Sequence, residues 1–331
     1  MKKTRMIKFY AALVCVAMST GFLKSEAQVK PRNAGVSPLK VIDGKLLNQQ
    51  GQPAQLRGIS LSWSIWAGRK YYNPDVVSWL KADFKINLLR VSMAVEPDSG
   101  YLQDPMGQEQ LVTKIIDAAI SKGLYVLIDW HDHHANKNLV QSKAFFAKMS
   151  KRYTGVPNVI YEIWNEPERI DWSIIKNYAE QVIAEIRKND KDNIIVVGSP
   201  SWDQDVDVAA KDPIQGVSNV AYSFHFYASD PGHQEHLMAK ADEALKLKLP
   251  LFVTEWGVGE ANGDGEFNVA LTTKWLNWME ANQLSWANWN ITDKKETTAI
   301  LNPGASVKGH WSTGDLTPAG LYIRNQLNRL N

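Results

Sequence analysis

The sequence predicts a single α/β domain folded as a closed (β/α)8 barrel, preceded by a β-hairpin that covers the bottom of the barrel. Three observations carry that expectation. Eight short apolar runs alternate with segments of helical length between residues 56 and 330, and repeated strand–helix units of that number favour a closed barrel over an open sheet. Runs such as Tyr125-Val126-Leu127-Ile128 and Ile194-Ile195-Val196-Val197 are apolar throughout, as strands buried on both faces are. No glycine-rich phosphate loop follows any run, which counts against a nucleotide-binding sheet.

The start of the chain stands apart from this pattern. Lys2, Lys3, Arg5 and Lys8 precede an apolar stretch over 11–18, and Ser25 and Ala27 place small side chains at a cleavage point before Gln28. This is the pattern of a secretory signal peptide over residues 1–27, and its apolar run falls short of the about 20 residues a membrane-spanning helix needs. The mature protein is expected to be secreted, extracellular or periplasmic, with no membrane span. Loss of the leader removes five bases (Lys2, Lys3, Arg5, Lys8, Lys24) and one acid (Glu26), so the formal charge of +2 becomes −2. The basic balance belongs to the leader, and a nucleic-acid partner, which would want a basic patch, is not expected. The only cysteine, Cys15, also lies in the leader, which excludes disulfides and thiol catalysis from the mature chain. Residues 28–38 read as a short polar lead-in and residues 39–331 as one catalytic domain without a low-complexity linker.

In chain order, Asp43-Gly44 turns the hairpin between Val41-Ile42 and Leu46-Leu47, and Gln50-Gly51 marks the next bend. The first strand, 56–60, is followed by a helix over 74–84, and the second, 86–92, by a helix over 108–122 that Gly123 ends. Strand 124–130 leads to helix 139–153, and strand 159–164 to helix 172–188 with Asp171 at its N-cap. Strand 194–198 precedes an irregular stretch, strand 220–226 a helix over 234–246, and strand 251–255 a helix over 267–281. Strand 284–289 and a helix over 318–330 complete the eight units. Segments 104–110 and 260–266 read as solvated loops.

Polar and aromatic residues collect where the strands end. Arg90 follows the second strand; Asp129, Trp130, His131, Asp132, His133 and His134 the third; Asn165 and Glu166 the fourth; His225 and Tyr227 the sixth; Glu255 the seventh; Trp289 the eighth. Six strands addressing one face with such groups is what a barrel active site looks like. Glu166 closes the run Val159-Ile160-Tyr161-Glu162-Ile163-Trp164-Asn165-Glu166-Pro167, and Glu255 closes Leu251-Phe252-Val253-Thr254-Glu255-Trp256-Gly257. Two facing carboxylates are the minimum equipment for breaking a glycosidic bond. Thirteen tryptophans in the chain offer flat apolar platforms of the kind that stack against sugar rings.

These stretches, with Arg57-Gly58-Ile59-Ser60, Asn87-Leu88-Leu89-Arg90, Asp129-Trp130-His131, His225-Phe226-Tyr227 and Trp286-Ala287-Asn288-Trp289, resemble glycoside hydrolase family 5, in its bacterial cellulase-like branch, from about residue 39 to the C-terminus. The resemblance implies a monomeric retaining endo-β-1,4-glucanase that needs no cofactor and takes a β-glucan polysaccharide or oligosaccharide. It implies Glu166 as general acid/base and Glu255 as nucleophile, with Arg90 and Tyr227 hydrogen-bonded to the nucleophile. It implies Asn165 at the sugar 2-hydroxyl, His131 and His225 facing substrate, and Trp289 as the platform at the cleaved bond. Trp66 and Trp202 match remoter sugar sites, and Ala261, Lys294 and Glu296 match positions on the non-reducing side. Ser62 stands where relatives often carry histidine, and Ala94 where many carry tyrosine near the cleavage site. These two departures bear on which glycan binds.

Other readings remain open at this level. The same chemistry on β-mannan, xyloglucan or mixed-linkage β-glucan would use the same central motifs, and a non-catalytic glycan-binding barrel would keep the tryptophans. His131-x-His133-His134 has the look of a metal cluster, but the further ligands that a metal needs have no match, so no metal is expected and His133 and His134 read as rim residues. Trp63 fits packing and ligand roles equally. Glu162 reads as an ion-paired residue pointing away from the site.

Overall fold

The computed structural model describes residues 35–331. The leader, 1–27, and most of the lead-in lie outside the described residues. The hairpin is formed by β1 (Lys40–Ile42) and β2 (Lys45–Leu47), paired antiparallel. Asp43 and Gly44 join them with φ of 50° and 76°, the left-handed pair that a two-residue hairpin turn requires.

Eight strands follow: β3 (Arg57–Leu61), β4 (Leu88–Ala94), β5 (Tyr125–His131), β6 (Val159–Glu162), β7 (Ile195–Val197), β8 (Val220–Tyr227), β9 (Leu251–Gly257) and β10 (Trp286–Ile291). They close in chain order, with β10 returning to β3, and the pairs along the barrel are parallel. Helices Pro74–Asp83, Pro105–Ser121, Leu139–Arg152, Trp172–Ile186, Glu235–Lys246, Val269–Ala281 and Pro318–Leu330 wrap the outside. This is the (β/α)8 barrel expected from the repeat pattern.

The core has two layers. The larger packs outward-facing strand residues such as Val91, Val126, Tyr161 and Val253 against the helices. The smaller fills the barrel's lower end: Leu88, Leu127, Ile160, Val196 and Phe252 meet Leu39 and Leu56, with Val41 and Leu46 of the hairpin packed beneath. The hairpin therefore seals the bottom with apolar side chains, which leaves the upper end for polar groups.

Two local expectations need correction. Segment 104–110 is no solvated loop: Asp104 caps helix Pro105–Ser121, its Oδ1 accepting from Gly107 N at 2.9 Å. Gln108 is buried there, its carbonyl held by Ser64 Oγ at 2.6 Å. Pro105 at the first turn, where its missing N–H has no partner to lose, was the overlooked start signal. Asp171 occupies the N-cap of helix Trp172–Ile186 as expected, without a side-chain cap hydrogen bond. The irregular stretch after β7 contains helix Val206–Lys211 and, ahead of it, three consecutive left-handed residues, Ser201, Trp202 and Asp203, with φ of 57°, 59° and 61°.

Candidate active site

The upper end of the barrel is organised by one guanidinium. Arg90 lies inside β4 rather than after it, fully buried and directed across the barrel. Its Nε and Nη2 donate to Glu162 of β6 at 2.7 and 3.1 Å, its Nη1 to Glu255 Oε2 of β9 at 2.6 Å, and its Nη2 to Asn165 Oδ1 at 2.7 Å. Nη2 is also 2.9 Å from Asp129 Oδ2 of β5. Glu162 is thus ion-paired as expected, but it points into the barrel beneath the site rather than away from it. Alternation along β6 could have shown this only with the register of the closed barrel in hand.

One guanidinium faces three buried carboxylates, and burial disfavours the charged form of an acid. Burial pushes Asp129 up to about 7 against the pull of Arg90, and Glu162 up to about 6 for the same reason. The layer under the cleft therefore holds protons that exposed acids would have lost.

Glu255 receives two donors: Arg90 Nη1 on Oε2 and the Tyr227 hydroxyl on Oε1, each at 2.6 Å. Burial, reinforced by Glu255, raises the Tyr227 phenol well above its usual range, so it remains a donor. The reach of Tyr227 depends on Gly257. A Cβ there would stand 2.5 Å from the Tyr227 ring, so any larger residue would displace it.

Glu166 sits at the end of the β6 run with a left-handed backbone, φ 51°. Its Oε1 lies 3.1 Å from His225 Nδ1, and its carbonyl lies 3.2 Å from His133 Nδ1. Gly198 makes room for this loop, because a Cβ there would come within 2.8 Å of Pro167. One carboxylate oxygen of Glu166, one of Glu255 and one ring nitrogen of His225 all lie within 4.8 Å of one another.

His225 is held on its other side by Thr254 Oγ1, 2.7 Å from Nε2. Thr254 in turn meets the Ser223 hydroxyl, which reaches Glu162 Oε1 at 3.3 Å. A hydrogen-bonded chain therefore runs from Glu166 through His225, Thr254, Ser223, Glu162 and Arg90 to Glu255. Burial lowers His225 to about 4, so its ring is neutral near pH 7. His131 bonds Asp129 Oδ2 through Nδ1 at 2.6 Å, and burial depresses its basicity as well. Its ring stacks on Trp289 with a centroid distance of 5.4 Å and 3° between planes.

A cleft crosses this centre. One half, about 650 Å³, is lined by Arg169, Trp202, His225, His233 and Lys240. The other, about 540 Å³, is lined by Ser62, Trp63, Trp66, His131, Glu255, Trp289, Lys294 and Glu296. Glu166, Tyr227 and Ala261 belong to both halves. Ala261 therefore sits at the junction rather than on one side alone. Trp63 lies edge-on to His131 at 4.1 Å and lines the cleft. Lys294 Nζ and Glu296 Oε2 pair with each other at 2.6 Å. Arg90 and Asn165 are buried beneath the cleft, and the Asn165 amide nitrogen has no hydrogen-bond partner among the described residues.

Ala94, where relatives often carry tyrosine, lies beside a cleft residue. It is fully buried opposite His131 in the β4–β5 register, with its N–H donated to Ser64 Oγ at 2.9 Å. Its side chain is not among those lining the cleft. His134 bonds Glu96 at 2.9 Å and Glu168 at 3.3 Å on the rim. Two groups bring metal-ligand atoms within 4.8 Å of one another: Glu96, Asp132 and His134, and Glu166, His225 and Glu255. In each, the histidine Nδ1 is already bonded to a glutamate of the same group. Asp203, Thr254 and Ser223 carried no signal in the sequence, since each acts through contacts made only after the barrel closes.

A parallel barrel with two carboxylates across an aromatic-lined cleft defines a glycoside hydrolase. The family model of cellulases (glycosyl hydrolase family 5) matches residues 47–295. Endoglucanase Z of Dickeya dadantii is 43% identical over 322 residues, covering 96% of this chain and 71% of that protein. A solved structure from Cytophaga hutchinsonii superposes with a TM-score of 0.86 at 44% identity, covering 88% of this chain and 94% of that one. The catalytic domain of a Thermobifida fusca endoglucanase, solved in complex with cellotetraose, superposes with a TM-score of 0.83 at 32% identity over 88% of this chain and 97% of that one. The chain belongs to glycosyl hydrolase family 5 and is a glycoside hydrolase of its cellulase group.

Proposed function

We propose that the protein is a secreted, monomeric endo-β-1,4-glucanase that retains anomeric configuration, with residues 39–331 as its catalytic domain and residues 1–27 as its export signal. The observation that carries the mechanism is the approach of Glu166 and Glu255 oxygens within 4.8 Å. That spacing suits the about 5–5.5 Å between carboxyls of retaining enzymes and leaves no room for the water that inverting enzymes place between theirs.

In the first step Glu255 attacks the anomeric carbon as Glu166 gives its proton to the departing sugar oxygen. In the second, Glu166 takes a proton from water as the water attacks the same carbon and releases Glu255. Arg90 and Tyr227 hold both oxygens of Glu255 in line. Neutral His225 lies against Glu166 and can bond its acid form. The unpartnered Asn165 amide is a donor suited to the 2-hydroxyl, whose bond strengthens as positive charge builds at the ring. Trp289 offers the floor under the reacting sugar, with Trp63 and Trp66 on one side and Trp202 on the other.

A cleft extending to both sides of Glu166 supports internal cleavage of a long chain. The names of the relatives and the bound cellotetraose of one of them support a β-1,4-glucan. The test is a panel of carboxymethylcellulose, lichenan, glucomannan, xyloglucan and xylan, with product sizes and initial anomer measured. A rapid viscosity drop on carboxymethylcellulose and first-formed β-anomer are expected. Glu166→Gln and Glu255→Gln should each lose several orders of magnitude in rate with the thermal midpoint preserved. Cellobiose released mainly from chain ends would overturn internal cleavage, and near-normal turnover in either variant would overturn the assignment of the pair.

A further inference from the structure

Asp203 is a fully buried acid that the mechanism above does not use. It sits at the end of the left-handed turn of Ser201, Trp202 and Asp203 after β7. Its Oδ1 accepts from Ser199 N at 2.6 Å and its Oδ2 from Glu166 N at 2.9 Å. The same Oδ2 is 3.6 Å from His225 Nδ1, the atom that faces Glu166 Oε1. The turn also grips the residues next to Glu166: Trp202 N donates to Pro167 O at 2.7 Å and Ser201 N to Glu168 O at 3.0 Å.

We infer that Asp203 is a positioning residue for proton transfer, fixing the backbone of Glu166 and its approach to His225 without touching substrate. The inference rests on Glu166 being the acid/base. The left-handed backbone of Glu166 is a conformation that non-glycine residues hold only where their surroundings impose it, and the Asp203 carboxylate is the group that receives the Glu166 N–H. Only a side chain with two acceptor atoms can bind the Ser199 and Glu166 amides together. Asparagine would keep one and turn its NH2 toward the other. Burial raises the Asp203 carboxyl well above its ordinary range, while the Ser199 and Glu166 amides pull the other way by favouring the ionised form.

The experiment compares Asp203→Asn, Asp203→Ala and Glu166→Gln on cellobiosides with leaving groups of increasing basicity, from dinitrophenol to phenol, alongside cellotetraose. A good leaving group needs no proton in the first step, so loss of acid catalysis appears only with poor ones. A side chain displaced by about 1 Å costs on the order of 100-fold. We therefore expect kcat/KM for phenyl cellobioside and cellotetraose to fall by roughly that factor in Asp203→Ala, and for dinitrophenyl cellobioside by less than about 3-fold. Asp203→Asn should fall between wild type and Asp203→Ala, and carries the test should Asp203→Ala fail to fold. Equal losses on both leaving groups, or no loss on either, would overturn the inference. If Glu166→Gln itself shows no leaving-group dependence, the acid/base reading of Glu166 fails instead.

Discussion

Replacing Tyr227 by phenylalanine removes one hydroxyl and nothing else. Among the described residues that hydroxyl is the only hydrogen-bond donor to Glu255 Oε1, at 2.6 Å, while Arg90 serves Oε2. A hydrogen bond to a charged group is worth about 1.5–3 kcal/mol. Its effect on rate depends on how the charge of Glu255 changes along the reaction, because only interactions stronger in the transition state accelerate a step. In the proposed first step Glu255 passes from carboxylate toward ester, and the bond to Tyr227 weakens. In the second, charge returns to Glu255 as it leaves, and the bond strengthens. The second step should therefore slow by about 10- to 150-fold, at a factor of ten for each ~1.4 kcal/mol, while the first slows less. With dinitrophenyl cellobioside, kcat should drop by that factor, kcat/KM should drop less, and a burst of phenolate should precede steady turnover. The thermal midpoint should move by only a few degrees, since about 1 kcal/mol corresponds to about 2–4 °C in domains somewhat smaller than this. A kcat/KM loss as large as the kcat loss, or no change in either, would refute the reasoning.

Arg90→Lys replaces a forked donor with a point charge that cannot meet Asp129, Glu162 and Glu255 together. Breaking a buried ion pair costs about 3–5 kcal/mol, so scanning calorimetry should show a midpoint roughly 6–20 °C lower; an unchanged midpoint would mean the hub is not structural. Asp129 gives a pH signature. Its folded-state value of about 7 exceeds its ordinary 3.8, so the folded protein holds an extra proton between the two. The stabilisation this gives is complete at acidic pH and is lost as pH rises through about 7. Asp129→Asn has no such term, so its midpoint should gain on that of wild type between pH 4 and pH 8, and a gap that widens in wild type's favour would contradict this.

Much of the architecture was legible because strand and helix periods are local. Each run from β3 to β10 appeared within about two residues, and Glu166 and Glu255 stood out by closing such runs. What could not be read depends on closure. Glu162 and Asp129 look like strand acids until β4, β5 and β6 are in register and all of them face Arg90. Asp203 lies in a turn whose left-handed backbone is set by contacts to Pro167 and Glu168, which no local pattern announces.

The Arg90 cross-brace also bears on how the enzyme comes into being. Glu255 follows Arg90 by 165 positions, whereas Asp129 and Glu162 are made much earlier in the same half of the chain. Glu255 sits on β9, and its place against Arg90 is complete only when β9 and β10 close the ring onto β3. Hydrolytic activity should therefore report barrel closure: a split chain lacking the final strands carries Glu166 but not Glu255, and is expected to stay inactive until the missing strands complete the ring.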